Sequence, residues 1–229
     1  MTNTVCITGA NRGLGLEFTK QYAMSGWQVL ACCKDLINAQ ELKALATQFS
    51  NITCYALDVT DEGSIHAVKE AISSPIDVLI NNAGFLVHDE LNDVSQDVLL
   101  KTFMINTVGP LQMLKAFKDK IAMSKLKLIA NISSSMGSIS DNSSGGYYSY
   151  RASKAALNMI MKSAAIDLAN EGIAVLLLHP GWVKTRMGGD QAAIEAPVSV
   201  KGMRTVIENY KPNKGEVKFI RYNGEIVPW

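Results

Sequence analysis

The chain has 229 residues, a formal net charge of +1 and an apolar share of 48%. That length supports one sizeable domain with a well-buried core. The balanced charge argues against a basic face for nucleic acid, no like-charge run suggests a tail, and the longest apolar stretch, IAVLLL at 173–178, is far too short to span a bilayer.

The first strand-like run, TVCIT (4–8), starts almost at once, so no cleaved leader is expected. Strands are then expected at WQVLAC (27–32), ITCYAL (52–57), DVLI (77–80), LKLIANI (126–132), AVLLLH (174–179) and VKFIRY (217–222). The middle runs are apolar throughout rather than alternating, as in strands buried on both faces of a parallel sheet. Helical patterns fall between them near 13–25, 39–49, 61–72, 95–122, 149–171 and 199–209, with Ser95 and Ser199 as N-caps. Strict alternation of strand and helix predicts an α/β fold, a Rossmann-type doubly wound sheet of about seven strands with helices on both faces. No linker or repeat divides the chain, so residues 1–229 are read as a single domain with a short lid near 182–200. Cys6, Cys32, Cys33 and Cys54 form no C-x-x-C pair, and the three histidines are scattered. Neither a metal site nor a disulfide framework is expected, and a reduced cytoplasmic chain is the simpler reading.

Ligands of such sheets bind beyond the carboxyl ends of the strands. After the first strand comes TGANRGLG (8–15), where Gly9, Gly13 and Gly15 open a helix around Asn11, Arg12 and Leu14. Glycines there let a pyrophosphate reach the amides of a helix N-terminus. The spacing is G-x-x-x-G-x-G, not the common G-x-G-x-x-G, and a bare structural turn would explain it without downstream support. The second strand ends in CCKD. Lys34 with Arg12 places two cations at one corner, which favours the 2′-phosphate of NADPH; Asp35 keeps NADH open. Asp58 and Val59 follow the third strand, where a carboxylate can accept from an adenine amino group or serve as a cap near Thr60. Asn82, Ala83 and Gly84, in NNAG after the fourth strand, form either a small-residue path past an adenosine or a plain turn.

The loop 133–149 leads into GGYYSYRASKAAL, which carries Tyr147, Tyr148 and Tyr150. Only Tyr150 has a lysine at the i+4 position, Lys154, on the same helix face. An ammonium there favours the tyrosinate; moving a tyrosine from about 10 towards 7 takes roughly 4 kcal/mol. The arrangement suits general acid catalysis, a proton passed to a carbonyl oxygen as hydride arrives at carbon. Tyr147, Tyr148, Phe85, Met136, Trp182 and Met187 suggest an apolar, aromatic pocket for ketones, aldehydes or quinones, while the serines of the loop are ordinary solubilisers for the most part.

Taken in order, TGANRGLG, NNAG, INTVGP, NISSSMG, YRASK and HPGWVKT resemble the short-chain dehydrogenase/reductase family over essentially the whole chain. The details GSISDNSSGGYYSYRASKAALN and YNGEIVPW are similar to its C-factor-like and sniffer-like carbonyl reductases. The resemblance implies a carbonyl reductase in which Ser134 holds the substrate oxygen, Tyr150 is the acid, Lys154 tunes it and anchors a ribose, and Asn106 holds a water in a proton relay. It also implies that Pro180, Gly181, Val183 and Thr185 meet the nicotinamide, and that the chain forms a homodimer or homotetramer. The family's serine commonly stands thirteen before the tyrosine, which here is Gly137; the local N-I-S-S pattern selects Ser134, with Ser138 as the rival. His179, before a proline at a strand end, reads as structural. An NAD(P)-binding sensor of the C-factor type, without essential turnover, is the alternative function.

Overall fold

The seven apolar runs become seven parallel strands. The computed structural model describes residues 2–229. The strands are β1 (Thr4–Thr8), β2 (Gln28–Cys33), β3 (Ile52–Ala56), β4 (Val78–Asn81), β5 (Leu128–Ile132), β6 (Ala174–His179) and β7 (Val217–Arg221). They form one sheet in the order β3-β2-β1-β4-β5-β6-β7, with every pairing parallel. Their continuous apolarity follows from having helices on both faces. On one face α3 (Glu62–Ala71), α5 (Gly109–Ala122) and α6 (Tyr148–Asp167) cover Cys6, Leu79, Ile129 and Leu177. On the other α1 (Gly13–Met24), α2 (Gln40–Gln48) and α7 (Ala196–Asn209) cover Val5, Ala31, Ile80 and Leu178. The strand order reverses between β1 and β4, and ligands of doubly wound sheets bind at that crevice.

Two local departures matter. The helix expected over 95–122 is three pieces: α4 (Gln96–Phe103), a π-helical segment Met104–Val108, and α5. Pro110 has no N–H to offer the carbonyl of Asn106 four residues back, so the ordinary α-ladder cannot run through. A Cβ at Gly109 would stand 2.9 Å from Val59, so that glycine lets the segment press against the end of β3. Ser95 is the N-cap expected, accepting from the Val98 amide, but Ser199 is not a cap. Pro197 suits a first helical turn and moves the start of α7 back to Ala196, leaving the Ser199 hydroxyl to donate to the Pro180 carbonyl at 2.7 Å.

Candidate active site

The carboxyl ends of β1, β4, β5 and β6 deliver the expected residues to one region. After β1 the chain turns through Gly9 (φ 66°) and Gly13 (φ 54°), left-handed positions that favour glycine. A Cβ at Gly15 would lie 2.1 Å from the Gly9 carbonyl oxygen, so no larger residue fits there. Helix α1 begins without a side-chain cap and without an acidic residue in its first turn, whereas α3 is capped by Asp61 and α4 by Ser95. Exposed Arg12 stands at that N-terminus, and Asn11 and Leu14 are half-buried beside it. Uncapped amides, a helix dipole and a cation together fit an anionic group such as a pyrophosphate.

Thr8, overlooked in the sequence, braces this turn. Its hydroxyl oxygen accepts from the amides of Asn82 and Ala83, both at 3.0 Å, while Asn82 Nδ2 donates to the carbonyls of Thr8 (2.8 Å) and Gly9 (3.2 Å). The asparagine of NNAG therefore ties β4 to the glycine turn. From the far side, Thr185 approaches Gly13, 3.4 Å from where a Cβ would be. Its hydroxyl accepts from Gly188, and Val183 is buried and bridges to Ile194. Gly181 is left-handed at φ 82° and presses on Ile194, following half-buried Pro180.

The corner beyond β2 differs from expectation. Lys34 is not a free cation: its ammonium is 2.6 Å from Asp58 Oδ2. The Asp58 carboxylate also accepts from the amide and hydroxyl of Thr60, at 2.9 and 2.7 Å. Partial burial raises its pKa, but Lys34 and Thr60 outweigh this and the net direction is down. Asp58 thus closes a turn, and Val59 belongs to the core. Asp35 is engaged as well, accepting from the amide and side chain of Asn38. Arg12 is left as the cation at this corner without an ion pair among the described residues.

On the other side of the crevice, Ser134, Tyr150, Lys154 and Asn106 are buried together. Burial pushes the Tyr150 phenol up to about 12, partly offset by the Ser134 hydroxyl against it. Burial pushes Lys154 down to about 8. The lysine ammonium lies 5.7 Å from the centre of the Tyr150 ring and donates to the Ile132 carbonyl at 2.7 Å. In the protein alone the phenol is therefore raised rather than lowered: burial outweighs the Ser134 hydroxyl, and the ammonium is turned to a carbonyl. Ser134 Oγ also accepts from the Met136 amide, whereas the Ser138 hydroxyl accepts from Asp141 and neighbours Ser140. Gly137 packs on α6, where a Cβ would be 2.7 Å from Lys154 Cβ.

Asn106, in the π segment, spends its carboxamide on protein partners: Oδ1 accepts from the Phe85 amide, and Nδ2 donates to the Phe85 carbonyl and to Ser153 Oγ. Ser153 in turn donates to the Tyr150 carbonyl, so this side chain couples the segment after β4 to α6. Gly84 lies between Asn106 and Lys154. His179 has a buried Nδ1 without a partner in the structure, and burial beside Arg221 pushes its pKa down to about 4, which keeps the imidazole neutral at neutral pH.

A model of the short chain dehydrogenase family matches residues 3–195. The chain belongs to the short-chain dehydrogenase/reductase family. Within it, the C-signal of Myxococcus xanthus is 45% identical over 158 residues, spanning 69% of this chain and 95% of that protein. The NADPH-bound carbonyl reductase from chicken fatty liver superposes with a TM-score of 0.94 at 33% identity, covering 100% of this chain and 99% of the other. The carbonyl reductase Sniffer of Drosophila melanogaster gives 0.92 at 34% identity, with both chains covered in full. The family is one of oxidoreductases, and among the described residues no cluster of metal-ligating side chains occurs. No described helix is long and apolar enough to cross a membrane.

Of the expected pocket residues, Met136 is half-buried, its carbonyl accepting from Arg151; Trp182 is exposed, its indole donating to Gly188; and Tyr147 and Tyr148 begin α6. Sequence reasoning missed Asp89, buried in a charged loop (HDELND), which accepts from the amide and hydroxyl of Ser149 and holds the start of α6. Nothing in its spacing marks it. Ser153, inside YRASK, was legible only as part of that motif.

Proposed function

We propose that this chain is an NADPH-dependent reductase of ketones, aldehydes or quinones. The observation that carries this is the Tyr150 hydroxyl, buried against Ser134 with Lys154 one turn further along α6. When bound, the nicotinamide supplies the hydride. Tyr150, protonated at neutral pH, gives a proton to the carbonyl oxygen that Ser134 holds. Lys154 has three donors, so it can keep Ile132 and still reach a ribose hydroxyl. Asn106 fixes the wall behind Lys154 and anchors the relay. The glycine turn, with Gly9, Asn11, Gly13, Leu14 and Gly15, takes the pyrophosphate on the α1 amides. Arg12, helped by Lys34 if it releases Asp58, takes the 2′-phosphate. Val59, Asn82, Ala83 and Gly84 flank the adenosine, and Pro180, Gly181, Val183 and Thr185 flank the nicotinamide. The chain acts as one domain, with 182–200 closing over the substrate.

Steady-state assays with NADPH and a panel of aldehydes, ketones and quinones test this. Tyr150→Phe is expected to lower kcat by at least about a hundredfold, the scale of general acid catalysis, with NADPH affinity retained. Unchanged turnover in that variant would sink the assignment. The 45% identity with C-signal favours a second reading, an NAD(P)-binding protein that does not depend on turnover. Tight NADPH binding with no oxidation across the panel selects it.

A further inference from the structure

Between residues 88–91 and 144–148 lies a cavity of about 390 Å³, lined by His88, Glu90, Leu91, Ser144, Tyr147 and Tyr148 together with Gly145 and Gly146. We propose that it holds the remote, ammonium-bearing end of a carbonyl substrate; this rests on the reductase reading above. The volume falls at the small end of the range of small-molecule pockets.

The wall is built under strain. Gly145, Gly146 and Tyr147 are successive left-handed residues, at φ 65°, 62° and 52°, and a tyrosine seldom adopts that region. One side chain outside the lining and one backbone bond hold it. Arg151 donates from Nε to the carbonyls of Gly145 (3.2 Å) and Gly146 (3.1 Å), and from Nη2 to Ser144 Oγ (2.8 Å). The Tyr147 amide donates to the Asp89 carbonyl at 2.7 Å, which ties the two walls together. His88 meets the Tyr147 ring edge-on, with centroids 4.7 Å apart.

The chemistry of the lining then selects the ligand. No lysine or arginine lines the cavity; Arg151, just behind it, donates from Nε, Nη1 and Nη2 to backbone carbonyls and Ser144. Glu90 supplies a carboxylate and the two tyrosines supply π-faces, the combination that attracts an ammonium. A carboxylate-bearing arm meets like charge. Because the Glu90 side chain is 71% exposed, the preference is modest and sensitive to salt. The cavity adjoins the first turn of α6, whose third residue is the proposed acid, Tyr150.

Three matched ketones test this with the full chain and NADPH: 4-(aminomethyl)acetophenone, acetophenone and 4-acetylbenzoate. KM is expected to rise in that order, by roughly fivefold between the charged extremes, with kcat little changed and the spread collapsing at about 0.5 M salt. Glu90→Lys should invert the order, and Glu90→Gln, the gentler replacement if the lysine misfolds, should flatten it. A wild type without preference, or a preference that survives both variants, overturns the inference. Binding of the aminomethyl ketone to the Tyr150→Phe protein with NADPH, followed by calorimetry, reads the cavity without turnover. If no ketone is reduced but this binding is lost with Glu90→Lys in the same background, the reductase reading falls and the cavity remains an ammonium-binding site. If ketones are reduced and binding ignores Glu90, the reverse holds.

Discussion

At Tyr150 two neighbours act in opposite directions: burial raises the phenol to about 12, and Ser134 draws it back. The same burial lowers Lys154 to about 8, against an ordinary 10.5. Keeping that ammonium charged inside the protein costs about 3 kcal/mol below pH 8. Between pH 8 and 10.5 the unfolded chain holds more protons than the folded one, so this penalty fades and stability rises with pH across the window. Relative to Lys154→Met, the wild-type urea midpoint is expected to climb from pH 8 to 10; parallel curves would show that the lysine is not desolvated. Catalysis should run the other way. kcat/KM for reduction should decline above pH about 8 as the ammonium is lost, visible in a pH–rate profile with acetophenone. The two serines separate on geometry. Ser134 touches the phenol, while Ser138 closes a turn with Asp141. Ser134→Ala should therefore lower kcat by tenfold or more, on the scale of one lost oxyanion donor, and Ser138→Ala should not. Equal losses in a rate assay would reverse that choice.

Among the elements, α6 and the loop before it depend on how closely they approach. Gly137 lies where a Cβ would be 2.8 Å from the backbone of Lys154. Gly137→Ala must push the serine turn away from α6. It is expected to cost about 1–3 kcal/mol, as overpacking does, and to lower kcat by more than it raises KM, checked by thermal melts and initial rates. Unchanged melting and kcat would mean the turn is free to move. This position also shows how much the chain reveals on its own. The apolar strands, the glycine turn and the Tyr150–Lys154 offset were legible because each follows from local spacing, periodicity or a single helix face. The six motifs in order revealed the family. The π segment was not legible, since Gly109 packs against Val59, a residue far away in sequence. The Lys34–Asp58 pair was not legible, because the ends of β2 and β3 become neighbours only through the sheet register. Asp89 and Arg151 were missed for the same reason: both act on backbone groups whose position depends on the fold. Ser199 misled because Pro197 starts the helix earlier than the serine would.

For the whole molecule, the reversal of strand order between β1 and β4 puts the glycine turn on one half of the sheet and Ser134, Tyr150 and Lys154 on the other. Thr8 and Asn82 link the halves, so disturbing either moves both. The sheet also buries Cys6, Cys32 and Cys33 almost completely, in adjacent strands on opposite faces, while Cys54 on the outer strand is half-buried. Burial raises the thiols of Cys33 and Cys54, and Cys32 beside Cys6 is raised further, so none of these three is primed to react in the folded state. Their labelling must wait for the strands to part. With a fast thiol reagent, Cys54 is expected to react first, and the other three later and together, at a rate set by opening of the central strands. NADPH should slow that late phase in proportion to its binding, and a late phase indifferent to NADPH would mean that the crevice opens apart from the sheet. The four free cysteines thus give the protein a built-in clock for how often its centre comes undone.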